Sequence, residues 1–230
     1  MDRRANWGAL LLGAAAMAMT TTAAAAPATG PSLLTASPDM LGTHAIPIRA
    51  DRFGESLRRA REDATNSPLL QRMVAPAATM QPLQKMAFVQ AAVTRSIRWI
   101  SDATEWGQHD YWASAAQTLA HGAGDAKNRA IVKLQALRAL GFRNSDLFLT
   151  LARDQVGGPI TVLTVRNDGH YYVMDDTGGR PFTVEERSRE FKPLMSFGMY
   201  GAWVHMPRTT LAPATLVASS AGTSAATARK

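Results

Sequence analysis

The run His121-Gly122-Ala123-Gly124-Asp125-Ala126-Lys127-Asn128-Arg129-Ala130, preceded by Asp110-Tyr111-Trp112, opens the segment that decides the fold. Asp125 is a natural N-cap and Gly141 a natural residue just past a helix end, so residues 125–140 read as one helix. Its apolar stripe is Ala126, Ala130, Leu134 and Leu137. Beyond Gly141 the period changes from helical to alternating. Leu147, Leu149 and Leu151 suggest a strand, residues 160–166 another and residues 170–175 a third. Arg166-Asn167-Asp168-Gly169 is a hairpin signal between the last two. Residues 201–206 read as a final strand, stopped by Pro207.

Upstream the signals are helical. Residues 53–64 read as a helix. Pro82 starts a longer one, on which Leu83, Met86, Val93, Ile97 and Ile100 recur at three- and four-residue steps. A loop follows over residues 101–112, then a short helix over 114–120. Helices first and antiparallel strands afterwards define an α+β domain over residues 46–208.

The ends differ in composition. Arg3 and Arg4 precede a short apolar run from Trp7 to Met19, and Ala23-Ala24-Ala25-Ala26 offers cleavage sites. Residues 1–25 therefore read as a secretory signal cut after Ala24 or Ala25, which implies a periplasmic or secreted protein without a transmembrane segment. Residues 26–45 read as a linker and residues 209–230 as a disordered tail. About 205 residues remain after cleavage, enough for one domain with its own core.

The sequence holds no cysteine among its 230 residues, which excludes thiol chemistry and a disulfide framework alike. Its formal charge of +7 is spread out, with Glu55, Glu62 and Asp63 interleaved among Arg58, Arg59 and Arg61. No nucleic acid is expected as a partner; binding of an anionic envelope polymer stays open as an alternative. The five histidines show no paired metal-ligand spacing, and no Gly-rich phosphate loop follows a strand. Trp99, Trp106, Trp112 and Trp203 admit two readings, a groove lining or core packing.

Trp106-Gly107, Asp110-Tyr111-Trp112, Gly124-Asp125, Val162-Leu163, Val173-Met174-Asp175-Asp176 and Phe191-x-Pro193 leading to Trp203 together resemble the bacterial transglutaminase-like cysteine proteinases. The resemblance runs from about Leu83 to Met206. It implies a papain-like or transglutaminase-like core, with a catalytic cysteine opening a helix that packs on an antiparallel sheet. It also implies a protein of the cell envelope whose relatives cleave adhesins under calcium control. In such a site the helix dipole and a neighbouring imidazolium sharpen the thiolate, and a carboxylate orients the histidine.

Carried over residue by residue, the resemblance implies a degenerate site. Where the family reads Gly-Asp-Cys-Glu-Asp, this chain reads Gly124-Asp125-Ala126-Lys127-Asn128, so Ala126 stands at the nucleophile. Where the family reads His-Ala-Val-Leu, this chain reads Ile160-Thr161-Val162-Leu163, so Ile160 stands at the histidine. Asp175 stands at the family's acid and survives as a vestige. Asp125 is the one acidic residue kept at the calcium segment, and Lys127 there opposes a hard cation, so no metal and no cofactor is expected. The expectation is a pseudoenzyme that binds a peptide or envelope protein. The alternative is a hydrolase built from other groups, with Ser114, Thr161 or Ser196 as hydroxyls and His121 or His170 as bases, although no nucleophile elbow surrounds them.

Overall fold

The computed structural model describes residues 37–40, 42–154 and 156–208. The signal segment 1–25, most of the linker and the tail 209–230 lie outside the described residues. The elements run, in chain order, β1 (Thr43–Pro47), α1 (Gly54–Arg61), α2 (Pro68–Val74), α3 (Pro82–Ser96), β2 (Arg98–Trp99), α4 (Asp102–Trp106), α5 (Ala115–His121), β3 (Ala123–Gly124), α6 (Ala126–Ala139), β4 (Leu147–Arg153), β5 (Pro159–Asn167), β6 (His170–Met174), β7 (Phe182–Thr183), β8 (Lys192–Phe197) and β9 (Ala202–Pro207). The α+β class is as expected. Seven strands form one antiparallel sheet in the order β1-β9-β8-β4-β5-β6-β7, and β2 and β3 form a separate parallel pair.

The sheet has two dissimilar faces. On one, Leu147, Leu149, Leu163, Val165, Met174 and Phe197 pack against Ile131, Leu134 and Leu137 of α6 and against the surrounding helices. On the other, Phe148, Val162, Tyr171, Val173 and Trp203 form a second core, covered by Met40 and by Phe182, Val184 and Phe191. Each fully buried large apolar side chain contributes about 1.5–3 kcal/mol. Strand alternation feeds both layers at once.

Helix α6 is buried on nearly every side, from Lys127 to Leu137, rather than along one stripe. It lies between the sheet and helices α2, α3 and α5. The hairpin after β5 takes a turn in which Asp168 (φ 49°) and Gly169 (φ 79°) both adopt left-handed backbone, as a two-residue turn of this hand requires.

Several expectations need correction. Strand β1 begins inside the stretch read as linker, and Pro38 and Met40 ahead of it are buried. Its outer edge is closed by its own approach segment: Asp39 accepts from the Ala45 amide (2.8 Å) and Ser37 donates to the Ala45 carbonyl (2.7 Å). That capping blunts an edge strand otherwise open to pairing. Helix α3 stops at Ser96, with Leu83 exposed and Ile97 beyond the helix. The loop read over 101–112 contains α4. Strand β8 escaped the reading because Pro193 interrupts it; a register shift against β4 between Leu151 and Ala152 accommodates the proline.

The second face carries a one-way hydrogen-bond chain across five strands. Thr164 donates to Thr150 (2.9 Å), which lies 3.0 Å from Ser196, and Ser196 lies 2.8 Å from His205 Nε2. His205 Nδ1 lies 3.0 Å from Thr43, whose hydroxyl donates to the Met40 carbonyl (2.6 Å). Since Thr43 spends its proton there, His205 is assigned as the Nδ1–H tautomer, with Nε2 accepting from Ser196. Every hydroxyl then has one direction, and the imidazole must stay neutral. Burial holds His205 down at about 4, against the opposing pull of Asp39.

A native pKa below the unfolded one means that the unfolded chain binds the proton first. Stability present above about pH 6.5 should therefore be lost as pH falls toward about 4, by roughly 3 kcal/mol over that window. Urea unfolding of the protein and of His205→Gln at pH 7.5 and 4.5 checks this. The wild type should lose more stability than the variant across the interval, and equal losses would remove the imidazole as the cause.

Candidate functional site

The opening of α6 is held by local sequence. Asp125 caps the helix, accepting from the Asn128 amide (3.1 Å). A Cβ on Gly124 would lie 2.9 Å from Asn128 Cβ, so only glycine admits this close approach. Pairing of Arg98 with Ala123 and Trp99 with Gly124 ties the entry strand to the end of α3.

Helix α4 brings in Asp102, which is 3% exposed. Its Oδ2 accepts from the Tyr111 amide (2.6 Å) and from the Lys127 ammonium, and its Oδ1 accepts from Asn128 Nδ2 (3.0 Å). Asn128 Oδ1 in turn accepts from the Ala113 amide (3.0 Å). The Lys127 ammonium also meets Asp125, and Asp110 at 3.2 Å, so three carboxylates surround one cation. Burial pulls the Lys127 pKa down, but the hydrogen bonds it donates to Asp102 and Asp125 outweigh it and hold the ammonium above the ordinary lysine value. Asp102 was not singled out by sequence reasoning; Ser101 three residues before Thr104 is a legible cap that places it on a helix, yet nothing local ties it to Lys127.

Aromatic side chains wall this region. Trp106 stacks at 4.8 Å from Tyr111 and 4.6 Å from His121, and Arg59 lies over the Tyr111 ring at 4.5 Å. His121 is bonded to Glu105 (2.8 Å). Of the four tryptophans weighed, Trp112 and Trp203 are core residues and Trp99 is exposed at 57%. Half-buried Ala126 begins the helix and offers only a methyl group.

Ile160 and Asp175 line one cavity, and Ala126 is not among its lining residues. Ile160 packs against the second core, on the face of the sheet away from α6. The cavity, of about 240 Å³, is also lined by Val162, Val173, Phe182 and Arg187. Asp175 is engaged structurally: its Oδ1 accepts from Gln90 Nε2 (3.2 Å) and from the amide (3.1 Å) and hydroxyl (2.8 Å) of Thr177. The carboxylate that reaches α6 is Asp176, 2.8 Å from Arg129. Continuing the β5–β6 register beyond Leu163 and Met174 sets Thr161 opposite Asp176. The α6 face thus carries Thr161 and Asp176, one residue along from the expected pair. A period of two makes one step a change of face.

Buried polar groups converge behind this point. Lys133 is 1% exposed and donates to the Asp175 carbonyl, and burial pushes its pKa down to about 8. The hydroxyl–imidazole contact of Ser196 with His205 is sealed, since Ser196 is 0% exposed. His170 is exposed on the hairpin.

Comparison with known proteins gives one consistent picture. The sequence profile of the bacterial transglutaminase-like cysteine proteinases matches residues 50–210. Among solved structures, Legionella pneumophila LapG is similar at 19% identity, covering 69% of this chain and 90% of that one, with a TM-score of 0.51. A calcium-bound form of the same protein is similar at 18% identity, covering 68% and 88%, also with a TM-score of 0.51. No curated protein matches.

The strand register can be read chemically. A thiol introduced by Ala126→Cys should alkylate at the same rate, from pH 6 to 8, whether or not Ile160→His is added, since position 160 faces away from α6. A faster reaction below pH 8 in the double variant would return Ile160 to the α6 face.

Proposed function

The chain belongs to the bacterial transglutaminase-like cysteine proteinases, and we propose that within them it is a non-catalytic member that acts by binding a peptide or protein partner in the cell envelope. The observation that carries this reading is the opening of α6, Asp125-Ala126, in a sequence without cysteine. Covalent catalysis by this route needs a thiolate at the helix start, and losing the nucleophile alone removes most of the rate. Two of the three hydroxyls weighed above are engaged in the scaffold. Ser196 is sealed in the second core, and Ser114 caps α5, accepting from the Gln117 amide (3.3 Å). Export, with cleavage near Ala25, is part of the proposal, and no described helix is long and apolar enough to cross a membrane.

Incubation with a denatured protein substrate tests the reading. No cleavage is expected, with or without calcium or reductant. Cleavage that co-purifies with the protein and disappears in a Ser114→Ala or Thr161→Ala variant would establish a hydrolase using other groups.

We further propose that the calcium requirement is lost because Lys127 supplies the cation. One LapG structure is calcium-bound, whereas here an ammonium sits among Asp102, Asp110 and Asp125. A fixed cation holds the 102–111 segment to α6 without any free ion, and adding a divalent charge beside it is electrostatically opposed. Lys127→Met strands two largely buried carboxylates and should cost about 3–5 kcal/mol. Millimolar calcium should then raise the melting temperature of the variant and leave the wild type unchanged. An equal rise in both would show that Lys127 does not replace the ion.

A further inference from the structure

We propose that the groove between α2, α3 and α5 docks an acidic amphipathic helical segment of a protein partner. The groove encloses about 400 Å³. Its floor is apolar: Met73 of α2, Phe88 and Ala92 of α3 and Leu119 of α5, with Leu69 standing 43% exposed on the rim. A floor made by three helices is the geometry that receives an amphipathic helix through apolar anchors one turn apart.

The rim specifies the charge. Arg72 stands on α2 and Arg95 on α3, both exposed and both in the lining. Among the described residues neither guanidinium has a carboxylate within 4.0 Å, and neither donates a hydrogen bond to a side chain or carbonyl. Elsewhere in the fold, Arg58 and Arg59 are engaged with Glu55, Arg138 with Asp63 and Arg166 with Asp146. An apolar strip between two uncompensated cations complements a helix with an apolar face and acidic margins.

The chain's own tail fits less well. Residues 209–230 offer Leu211, Leu216 and Val217 but no Asp or Glu, and they carry Arg229 and Lys230. Like charge at the rim opposes that occupant. No residue of the groove takes part in the α6 opening, so this surface is independent of whether that opening retains any chemistry.

The test uses the full chain and a fluorescein-labelled synthetic peptide with leucines at i, i+4 spacing and glutamates on the remaining face. A companion peptide carries lysine for every glutamate. By fluorescence anisotropy at low salt the acidic peptide should bind and the basic one should not, and binding should weaken as salt rises. Arg72→Glu with Arg95→Glu should weaken the acidic peptide about tenfold or more, whereas Arg180→Glu with Arg189→Glu, the same change in net charge elsewhere, should stay within about twofold. Leu69→Ser should weaken it several-fold through the apolar arm. Equal weakening by the two charge reversals would reduce the effect to net charge and overturn the proposal. An unchanged affinity in the Arg72/Arg95 double variant or in Leu69→Ser would overturn it as well. A protein that sediments as a dimer and dissociates on Arg72→Glu would assign the groove to a second copy, and acidic-peptide binding that appears only after deletion of residues 209–230 would assign it to the tail.

Discussion

The arrangement depends on a helix that is buried on nearly every side while carrying polar and charged side chains. Lys127, Asn128, Arg129, Lys133 and Gln135 of α6 are each at most 9% exposed. Each must find partners from a different neighbour, because an unpaired buried charge costs several kcal/mol. Asp102 and Asp110 come from the segment before α5, Asp176 and the Asp175 carbonyl from the end of β6, and the Ala60 carbonyl from α1. The helix therefore works as a hub whose polar demands position the loops around it. Among the described residues, Arg129 Nε, Gln90 Oε1 and Thr94 Oγ1 have no partner, which marks where α3, α6 and the 175–179 loop meet least completely.

The sheet obeys a second rule, that of parity. Tyr172 and Met174 face α6 while Tyr171 and Val173 face the second core, and the same alternation runs through β4 and β5. One face is closed by helices, the other by the 37–40 segment and residues 182–191. The polar chain from Thr164 to Thr43 lies on that second face and stitches β5, β4, β8, β9 and β1 together, so the edge strand is held by a neutral imidazole as well as by its ladder. Such a directed network is stable only while every proton has one place to go.

At the α6 opening, the contacts that join the neighbouring segments are electrostatic. A methyl group stands at the first helical position, and beside it an ammonium neutralises carboxylates that would otherwise repel one another. The consequence is a rigid junction between α4, the 107–113 segment and α6. The aromatic wall of Trp106 and Tyr111 stands beside this junction.

The sequence by itself determined the elements with strong local signals: α6 between Asp125 and Gly141, the Asp168-Gly169 hairpin, strands β4, β5, β6 and β9, and the absence of cysteine. These rest on period, caps and turn residues, which act within a few positions of the chain. It did not disclose β1, α2 or β8, where a proline or a Ser-Pro start broke or hid the pattern, nor the partnership of Asp102 with Lys127 across 25 residues. Nor did it fix which side of the sheet Ile160 and Asp175 occupy relative to α6. Motif likeness aligns residues to about one position, but a strand turns each position to the opposite face, and only the packing of α6 on one side decided which face met the helix.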